Sequence, residues 1–187
     1  TATDNCDPNP SITWSNSITP GSCPGNYTIT RTWTATDNCG NSASCVQTIT
    51  VQDITPPVIS CPANVTINCD DDTSATANGF ATAIDNCDPN PSITWSNVIT
   101  PGSCSGNYTI TRTWTATDNC GNSSSCIQTI TVQDVTPPVI TCPANVTINC
   151  DDDTSATANG FATATDNCDP NPSITWSNSI TPGSCPG

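Results

Sequence analysis

Residues 107–118 read NYTITRTWTATD, and the same twelve letters recur at residues 26–37. Within the later copy, Tyr108, Ile110 and Trp114 share one parity, and threonine occupies the alternate positions. Apolar side chains at every second position predict a β-strand with one buried face. Threonine and aromatic residues are also favoured on strands. The stretch therefore predicts a strong strand that the chain contains at least twice.

The duplicated strand belongs to a longer repeat, in which Thr1 aligns with Thr82 and Gly106 aligns with Gly187. When residues 1–106 are aligned with residues 82–187, only 10 of the 106 pairs differ. One unit is as long as residues 53–133, which is enough to bury a core of its own, whereas the short units of solenoids depend on their neighbours. Both ends of the chain align with interior positions of the repeat. We therefore expect a window of a longer array of modules.

Two nearly identical proline-containing stretches predict the boundaries between modules. They read VQDITPPV at residues 51–58 and VQDVTPPV at residues 132–139. Consecutive prolines fix φ and remove two backbone donors, which favours a stiff and extended connection. These linkers divide the chain into a partial first repeat (1–52), a complete second repeat (53–133) and a partial third repeat (134–187).

The rest of the complete repeat is also rich in β patterns. A first strand is predicted over residues 59–69, a looser one over 74–84, a third from residue 92 and a last one over 126–132, with a crossover at 100–106. No helical period occurs. We expect an all-β fold of tandem immunoglobulin-like Greek-key β-sandwiches with about seven short strands each. Disulfides would staple each sandwich, and short Pro-Pro linkers would join them.

The charge of the chain is strongly one-sided. It contains 16 acidic residues, all aspartate, against Arg31 and Arg112, and its net charge is −14. Such a surface cannot neutralise phosphates, which argues against binding to nucleic acid and against insertion into or docking on an anionic membrane. It favours divalent cations, because carboxylates are hard oxygen ligands. Histidine and lysine are absent, so no side chain of these types can act as a base near neutral pH, and we expect that the protein is not an enzyme.

The 14 cysteines predict a disulfide framework formed in an oxidising, extracellular compartment. Each full period holds six, and the chain lacks the CxxC pairs and histidines that would favour zinc. Six cysteines allow many pairings, which only non-reducing peptide mapping would decide. Strand and loop positions in a sandwich favour three of them, Cys61–Cys126, Cys87–Cys120 and Cys69–Cys104.

The run DNCGNSSSCIQTITVQDVTPPVITCPANVTI at residues 118–148 resembles the HYR (hyalin repeat) module. The resemblance covers essentially the whole repeat, apart from the acidic segment NCDDD at residues 68–72 and two cysteines beyond the usual set. HYR modules are immunoglobulin-like extracellular domains found in tandem in bacterial surface and adhesin proteins. The resemblance therefore implies an extracellular stalk or adhesion module at a cell surface.

Acidic loops are expected to converge where one module meets the next. Neighbouring carboxylates repel one another, and a site of six to eight oxygens suits Ca²⁺. The first junction would use Asp53, Asp85, Asp88 and Asp118. The second would use Asp70, Asp71, Asp72, Asp134, Asp166 and Asp169. The alternative is that these aspartates cap turns, which Asp and Asn favour in any loop.

The leading functional expectation is a structural segment of an extracellular filament or cell-surface stalk, made rigid by disulfides and interdomain calcium. Its partners would be further copies of the repeat, end to end and laterally. One alternative is an adhesin whose modules bind a glycan or a surface protein. Another is ice binding through a threonine row, which comprises Thr109, Thr111, Thr113 and Thr115.

Overall fold

The computed structural model describes residues 1–181, so Cys185 and the rest of residues 182–187 lie outside the described residues. The described chain is all-β, as the sequence predicts, apart from two single-turn helices. Its strands are β1 (Ser11–Pro20), β2 (Tyr27–Thr36), β3 (Ser42–Val51), β4 (Val58–Ser60), β5 (Val65–Asn68), β6 (Thr82–Ile84), β7 (Ser92–Pro101), β8 (Tyr108–Thr117), β9 (Ser123–Gln133), β10 (Val139–Thr141) and β11 (Thr163–Thr165). The helices are α1 (Ala75–Asn78) and α2 (Ala156–Asn159).

The complete repeat forms two sheets. One contains four strands in the order β5-β9-β8-β7, and in the other β4 pairs antiparallel with β6. Strand β5 runs parallel to β9, with Val65 opposite Ile130. In the first repeat the equivalents of β7, β8 and β9 form an antiparallel sheet in the order β1-β2-β3. In the sheets β1-β2-β3 and β5-β9-β8-β7, neighbouring strands follow one another along the chain except for β5, and β4 pairs with β6 across the intervening β5 and α1.

The first strand predicted over residues 59–69 is divided between these two sheets. Its beginning is β4, which pairs with β6, and its end is β5, which pairs with β9. Pro62 lies between the two parts and has no N–H group to donate to a ladder. The buried side chain of Gln128 satisfies this irregular backbone, because its Nε2 donates to the carbonyls of Ala63 at 3.1 Å and Asn78 at 2.8 Å.

The segment predicted as a loose second strand is mostly not a strand. Residues 75–78 form α1, and the Ser74 hydroxyl accepts a hydrogen bond from the Ala77 N–H at 3.3 Å in its first turn. Gly79 follows with a φ of 92°, which glycine adopts without strain. Only β6 is extended. The β propensity of threonine did not decide the conformation of this segment. Ser74 at the N-cap and Gly79 after the C-terminus favour a helical turn.

The crossover predicted at residues 100–106 is a tight turn instead. It connects β7 to β8, which are neighbours in one sheet. Gly102 donates from its N–H to the Asn107 carbonyl at 2.8 Å, and Asn107 donates to the Cys104 carbonyl at 3.2 Å. The equivalent residues Gly21, Cys23 and Asn26 form the same turn in the first repeat. Cys104 and Cys23 therefore lie in turns closed by the same two backbone hydrogen bonds, although Gly106 has a positive φ and the equivalent Gly25 does not.

Inter-residue contacts divide the described chain into two compact units, each of which draws on neighbouring repeats. The first unit comprises residues 1–63, 78–98 and 111–128. The second comprises residues 64–77, 99–110 and the described residues from 129 onward. These units do not follow the predicted boundaries between the repeats, which remain a division by sequence.

Trp114 lies at the centre of the first unit and is fully buried. The rings of Phe80 and Trp95 lie 5.9 and 5.2 Å from it. Arg112 is also buried, with its guanidinium 5.9 Å from the Trp114 ring and its Nε donating to Asn97 Oδ1 at 3.0 Å. Arg112, the lone cation of this repeat, is thus part of the core and is only 2% exposed, which leaves little surface for a sugar or carboxylate ligand.

The second unit has a smaller aliphatic core. Ile110, Ile130 and Val132 are buried there, and Val65 and Ile67 of β5 pack against them. These residues share the parities that the sequence predicts for β8, β9 and the end of the first strand. Alternation along the strands therefore identified the buried faces even where it did not identify the strand partners.

Candidate functional site at the repeat junctions

Three aspartates from separate parts of the chain meet beside the linker between the first and second repeats. Asp53 lies just after β3, and Asp85 and Asp118 immediately follow β6 and β8. One carboxylate oxygen from each lies within 4.8 Å of the others. Asp53 and Asp118 are only 7% and 6% exposed. The structure thus brings together three of the four aspartates that the sequence assigns to this junction.

One oxygen of this acidic cluster, Asp85 Oδ2, is buried without a hydrogen-bond partner. The other oxygen of Asp85 accepts from the N–H groups of Cys87 at 2.8 Å and Asp88 at 2.9 Å. A buried carboxylate oxygen without a donor is costly, and more so beside two other carboxylates. A bound cation would remove this cost, which makes the cluster chemically suited to a hard divalent ion.

Side chains from both repeats hold the linker residue Asp53. Its N–H donates to Asn26 Oδ1 at 2.6 Å, from the first repeat. Asn122 of the second repeat donates from Nδ2 to the Asp53 carbonyl at 3.2 Å and to Asp118 Oδ2 at 2.8 Å. The position of the acidic cluster therefore depends on both repeats and on the linker.

Two groups at this junction have a shifted pKa. Burial alone would raise the pKa of Asp118, but hydrogen bonds from the Asn122 side chain and from backbone N–H groups hold that pKa below its ordinary value of 3.8. Burial raises the pKa of the Cys87 thiol, and the negative charge of the three aspartates raises it further. Cys87 is therefore electrostatically linked to the acidic cluster and stays protonated near neutral pH.

Asp88, the fourth aspartate expected at this junction, instead holds two loops together through hydrogen bonds to its carboxylate. It is 4% exposed, and its Oδ1 accepts from the Asn90 N–H at 2.9 Å. Its Oδ2 accepts from the Asn119 N–H at 3.0 Å, across to the loop that follows β8. Both oxygens are thus engaged in fixing the two loops that carry Asp85 and Asp118. The structure places Asp88 beside the acidic cluster and not in it.

The second junction repeats part of this arrangement. Asp134 corresponds to Asp53, and its N–H donates to Asn107 Oδ1 at 2.6 Å. Asp166 corresponds to Asp85, and its Oδ2 is likewise buried without a hydrogen-bond partner. Asp169 corresponds to Asp88 and accepts from the Asn171 N–H at 2.9 Å. Asp134 also lies within 4.8 Å of the sulfurs of Cys69 and Cys168, but these form a disulfide and are not thiolate ligands.

The acidic triplet expected at the second junction caps turns. Asp70 and Asp71 each accept a 2.7 Å hydrogen bond from Asn68, and Asp72 accepts from the Ser74 N–H and hydroxyl at 2.8 Å. Among residues 1–181, no group of three or more potential metal ligands within 4.8 Å includes any of the three. The turn-capping interpretation of the sequence therefore describes the triplet, because these carboxylates satisfy their own loop.

One disulfide lies within the complete repeat, and two others cross the linkers. Cys61 and Cys126 are joined as the sequence predicts, with their Cα atoms 5.9 Å apart. Cys120 is joined to Cys23 in place of Cys87, and the Cα distance is 5.2 Å. Cys69 is joined to Cys168 in place of Cys104, with a Cα distance of 6.0 Å. The expected Cys87–Cys120 and Cys69–Cys104 pairs are therefore corrected.

The reason for the correction is that loops of adjacent repeats meet at each linker. Sequence reasoning considered pairing only within one repeat and so missed Cys23 and Cys168 as partners. The alignment of the repeats held the missing signal, because it places Cys23 on Cys104 and Cys168 on Cys87. The same positions of the repeat are used, but their partners lie on the other side of the linker.

Two concave regions of about 570 and 590 Å³ lie on the first and third repeats. Trp33 lines one, and Phe161 lines the other. These residues correspond to Trp114 and Phe80, which pack together in the complete repeat. The two concavities thus lie at core positions of the fold, and they do not support a glycan pocket.

Comparison with known proteins finds a family of similar domains. Residues 57–132 match a family described as a HYR-like domain with four cysteines. The central repeat is similar to HYR-like domains. The matched range contains six cysteines, two more than the description of the HYR-like family counts.

The chain is also 36% identical over 129 residues to hyalin of Strongylocentrotus purpuratus. The aligned region covers 64% of this chain and 10% of hyalin, so the chain spans about a tenth of the length of this curated relative. Together the HYR-like match and the hyalin match suggest an extracellular repeat of the adhesion type. None of the helices within residues 1–181 has the length and hydropathy needed to span a membrane.

Proposed function

We propose that this chain is a segment of an extracellular filament or cell-surface stalk in which disulfides and calcium hold consecutive repeats rigidly. The observation that carries the proposal is the acidic cluster of Asp53, Asp85 and Asp118 at a linker. The near identity of the repeats supports it, because an array of equal modules suits a mechanical role. The HYR-like match supports an extracellular setting, and the disulfides suit an oxidising compartment.

Calcium is the cation that fits this cluster best. Carboxylates are its preferred ligands, and it accepts additional backbone carbonyls, amide oxygens and water in a flexible geometry. The Asp53 carbonyl and the oxygens of Asn86 and Asn119 belong to the same loops and linker. Sites of this kind in extracellular modules bind with dissociation constants on the order of 10⁻⁴–10⁻³ M, which suits an extracellular calcium concentration.

Binding at this position would stiffen the linker directly. The three carboxylates come from the linker, from the end of β6 and from the end of β8. An ion held by all three removes their mutual repulsion and fixes the linker against the second repeat. Because Asn26 of the first repeat also holds Asp53, calcium would reinforce a connection that both repeats share.

Hydrogen–deuterium exchange of the full chain, with and without calcium, tests this proposal. Calcium should slow exchange of backbone amides in residues 52–57 and 118–122, which carry Asp53 and Asp118. The loop at residues 37–41 is a matched internal control. Its sequence is identical to that of residues 118–122, but Asp37 is not part of an acidic cluster among the described residues.

Two results of this experiment would contradict the proposal. One is exchange that calcium leaves unchanged at every loop. The other is equal protection of residues 37–41 and 118–122, which would indicate calcium bound by single loops without regard to the junction. Magnesium provides a second control, because it demands a compact octahedral site and should protect the junction less than calcium does.

Ice binding is a second candidate because hydroxyl side chains form regular rows across the first repeat. Thr34 lies opposite Thr13 and Ser44, and Thr28 lies opposite Thr19 and Thr50. Such rows also suit an ordinary solvated β-face, where threonine is favoured. Measurement of thermal hysteresis with the purified full chain decides between these roles, since a filament segment should show none.

A further inference from the structure

The two disulfides that cross linkers join different pairs of positions in the repeat. Cys23 aligns with Cys104, so the Cys23–Cys120 bond joins the turn between two strands of one repeat to the last loop of the next. Cys168 aligns with Cys87, so the Cys69–Cys168 bond joins the end of β5 to another loop of the next repeat. Each junction in this chain therefore shows one kind of bond and lacks the other.

The free thiol of Cys87 lies in the same surroundings as the bonded Cys168. A Cβ atom placed on Gly25 would lie 2.9 Å from Asp53 Cβ and 3.3 Å from Cys87 Cβ. At the second junction a Cβ on the equivalent Gly106 would lie 2.8 Å from Cys168 Cβ and 3.5 Å from Asp134 Cβ. The preceding repeat thus approaches each cysteine closely through a glycine.

The second junction shows which residue is the disulfide partner at this position, namely Cys69. There the Cβ on Gly106 would also lie 3.5 Å from Cys69 Cβ, and Asn167 donates to the Cys69 sulfur at 3.5 Å. The corresponding Asn86 donates to the sulfur of Cys87 itself at 3.0 Å. Because Thr1 already aligns with Thr82, the position equivalent to Cys69 in the first repeat falls before Thr1, and residues 1–187 hold no such partner for Cys87.

The free thiol of Cys104 lies in a turn equivalent to the one that holds Cys23. Both lie in a turn closed by a 2.8 Å hydrogen bond, from Gly102 to Asn107 in one repeat and from Gly21 to Asn26 in the other. Cys23 reaches Cys120 across its linker. Because Gly187 aligns with Gly106, the position equivalent to Cys120 in the third repeat falls after Gly187, so Cys104 has no such partner within the sequence.

We propose that every complete junction between repeats carries both disulfides, one from Cys87 to the Cys69 position of the preceding repeat and one from Cys104 to the Cys120 position of the following repeat. Together with Cys61–Cys126, these two bonds use all six cysteines of the repeat. The same three pairings can be applied to every repeat by moving them along the sequence by one or two repeat lengths. Each cysteine that is free among residues 1–181 is then assigned a partner, and each of these partners falls outside residues 1–187. The repeat is thus covalently complete only as an array.

Bond formation needs a disulfide oxidant of the extracellular compartment. Two thiols exchange with this oxidant, lose two protons and two electrons to it, and form one new S–S bond. The oxidant leaves as a dithiol. This assignment deepens the proposed structural role, because two separate covalent bonds across one linker prevent rotation about either of them alone.

Extension of the full chain at either end provides the test. A copy of residues 53–81 added before Thr1 completes the first repeat and supplies an equivalent of Cys69. A copy of residues 107–133 added after Gly187 completes the third repeat and supplies an equivalent of Cys120. After alkylation without reduction and digestion with pepsin, mass spectrometry should show Cys87 and Cys104 linked to the added residues, each losing at least about nine-tenths of its alkylation.

A matched control keeps this test independent of folding. In a second extended chain the added equivalent of Cys69 is serine, and Cys87 should again be alkylated. The added equivalent of Cys61 should bond to Cys45 in both chains, which shows that the completed repeat has folded. If that bond forms while Cys87 stays alkylated, or pairs within its own repeat, the proposal is wrong. Failure of calcium protection in the exchange experiment would leave this result untouched, so the two proposals fail separately.

Discussion

At the scale of single residues, Asp37 and Asp118 show how one position of the repeat acquires two environments. Both accept hydrogen bonds from the asparagine four residues later and from the backbone of their own loop. Only Asp118 also meets Asp53 and Asp85. The chemical character of the position therefore comes from the neighbouring linker and not from the loop sequence.

Asp118→Asn should weaken calcium binding roughly tenfold or more, equivalent to about 1.4 kcal/mol, because it removes one of three carboxylates from the site. Asp37→Asn should leave the affinity unchanged, although it removes the matching carboxylate oxygen that accepts from Asn41 Nδ2. Isothermal titration calorimetry of the full chain measures both. Equal affinities for the two variants would contradict the assignment of the cluster as the calcium site.

The acidic triplets predict acid sensitivity of the fold. Hydrogen bonds from the Ser74 N–H and hydroxyl hold the pKa of Asp72 below its ordinary value of 3.8, and Ser155 does the same for Asp153. A lowered pKa contributes stability above the unfolded value, and this is lost as the pH falls through the folded value. The free energy of unfolding should therefore decline below about pH 4, and Asp72→Asn with Asp153→Asn should make this decline shallower.

Urea unfolding of the full chain at a series of pH values checks this expectation. The stability difference between the parent chain and the double variant should be largest near neutral pH and shrink in acid. A difference that stays constant from neutral pH to about pH 2 would show that these two carboxylates do not titrate with folding.

At the scale of elements, Gln128 secures the irregular segments on either side of the short strands. Its side chain bonds to the carbonyls of Ala63, between β4 and β5, and Asn78, at the end of α1. Gln128→Leu leaves both carbonyls without these donors and should cost roughly 1–3 kcal/mol in the free energy of unfolding. Chemical denaturation measures the change.

Gln47 supplies the matched control for this substitution. It aligns with Gln128 but is exposed, and it accepts from Trp33 Nε1 at 3.4 Å. Gln47→Leu should change stability by less than about 0.5 kcal/mol, as surface substitutions do. If both variants lose equal stability, the buried bonds of Gln128 are not what holds these segments.

The Cys61–Cys126 bond ties the loop after β4 to β9 and spans 65 positions of sequence. Loss of a cross-link of this span should cost about 4 kcal/mol on the chain-entropy account. We expect Cys61→Ser with Cys126→Ser to lower the free energy of unfolding by that order. Cys45→Ser is the matched control, because Cys45 aligns with Cys126 but is free. A loss as large for Cys45→Ser would assign the effect to the substitution and not to the cross-link.

At the scale of the whole molecule, calcium binding at the junction should be coupled to folding. A ligand that binds only the folded chain stabilises it by about 2.7 kcal/mol at one hundred times its dissociation constant. Calcium should thus raise the melting temperature of the parent chain, and Asp118→Asn should remove about half of that rise, because a tenfold weaker affinity leaves about 1.4 kcal/mol of the stabilisation. Calorimetric scans with calcium and with chelator measure it, and an unchanged melting temperature of the parent chain would contradict coupling through this site.

Particular residues show how far sequence alone leads. The parity of Ile110 and Trp114, the disulfide of Cys61 with Cys126 and the meeting of Asp53, Asp85 and Asp118 could all be predicted. The bounds and partners of the strands within residues 59–84 could not be predicted from the sequence. There the strand divides at Pro62, and a serine cap turns the next segment into α1.

The sequence by itself determined the repeat, the all-β class, the buried faces of β5, β8 and β9 and the acidic character of the linkers. These follow from local periodicity and from composition, which each segment carries wherever it lies. Only the tertiary structure decided which loops meet across a linker, and hence that Asp88 braces loops, that the aspartate triplet caps turns and that Cys23 and Cys168 bond to the adjacent repeat. Near-identical repeats contain the same local signals, so the choice between a partner within a repeat and one across the linker depends on three-dimensional proximity alone.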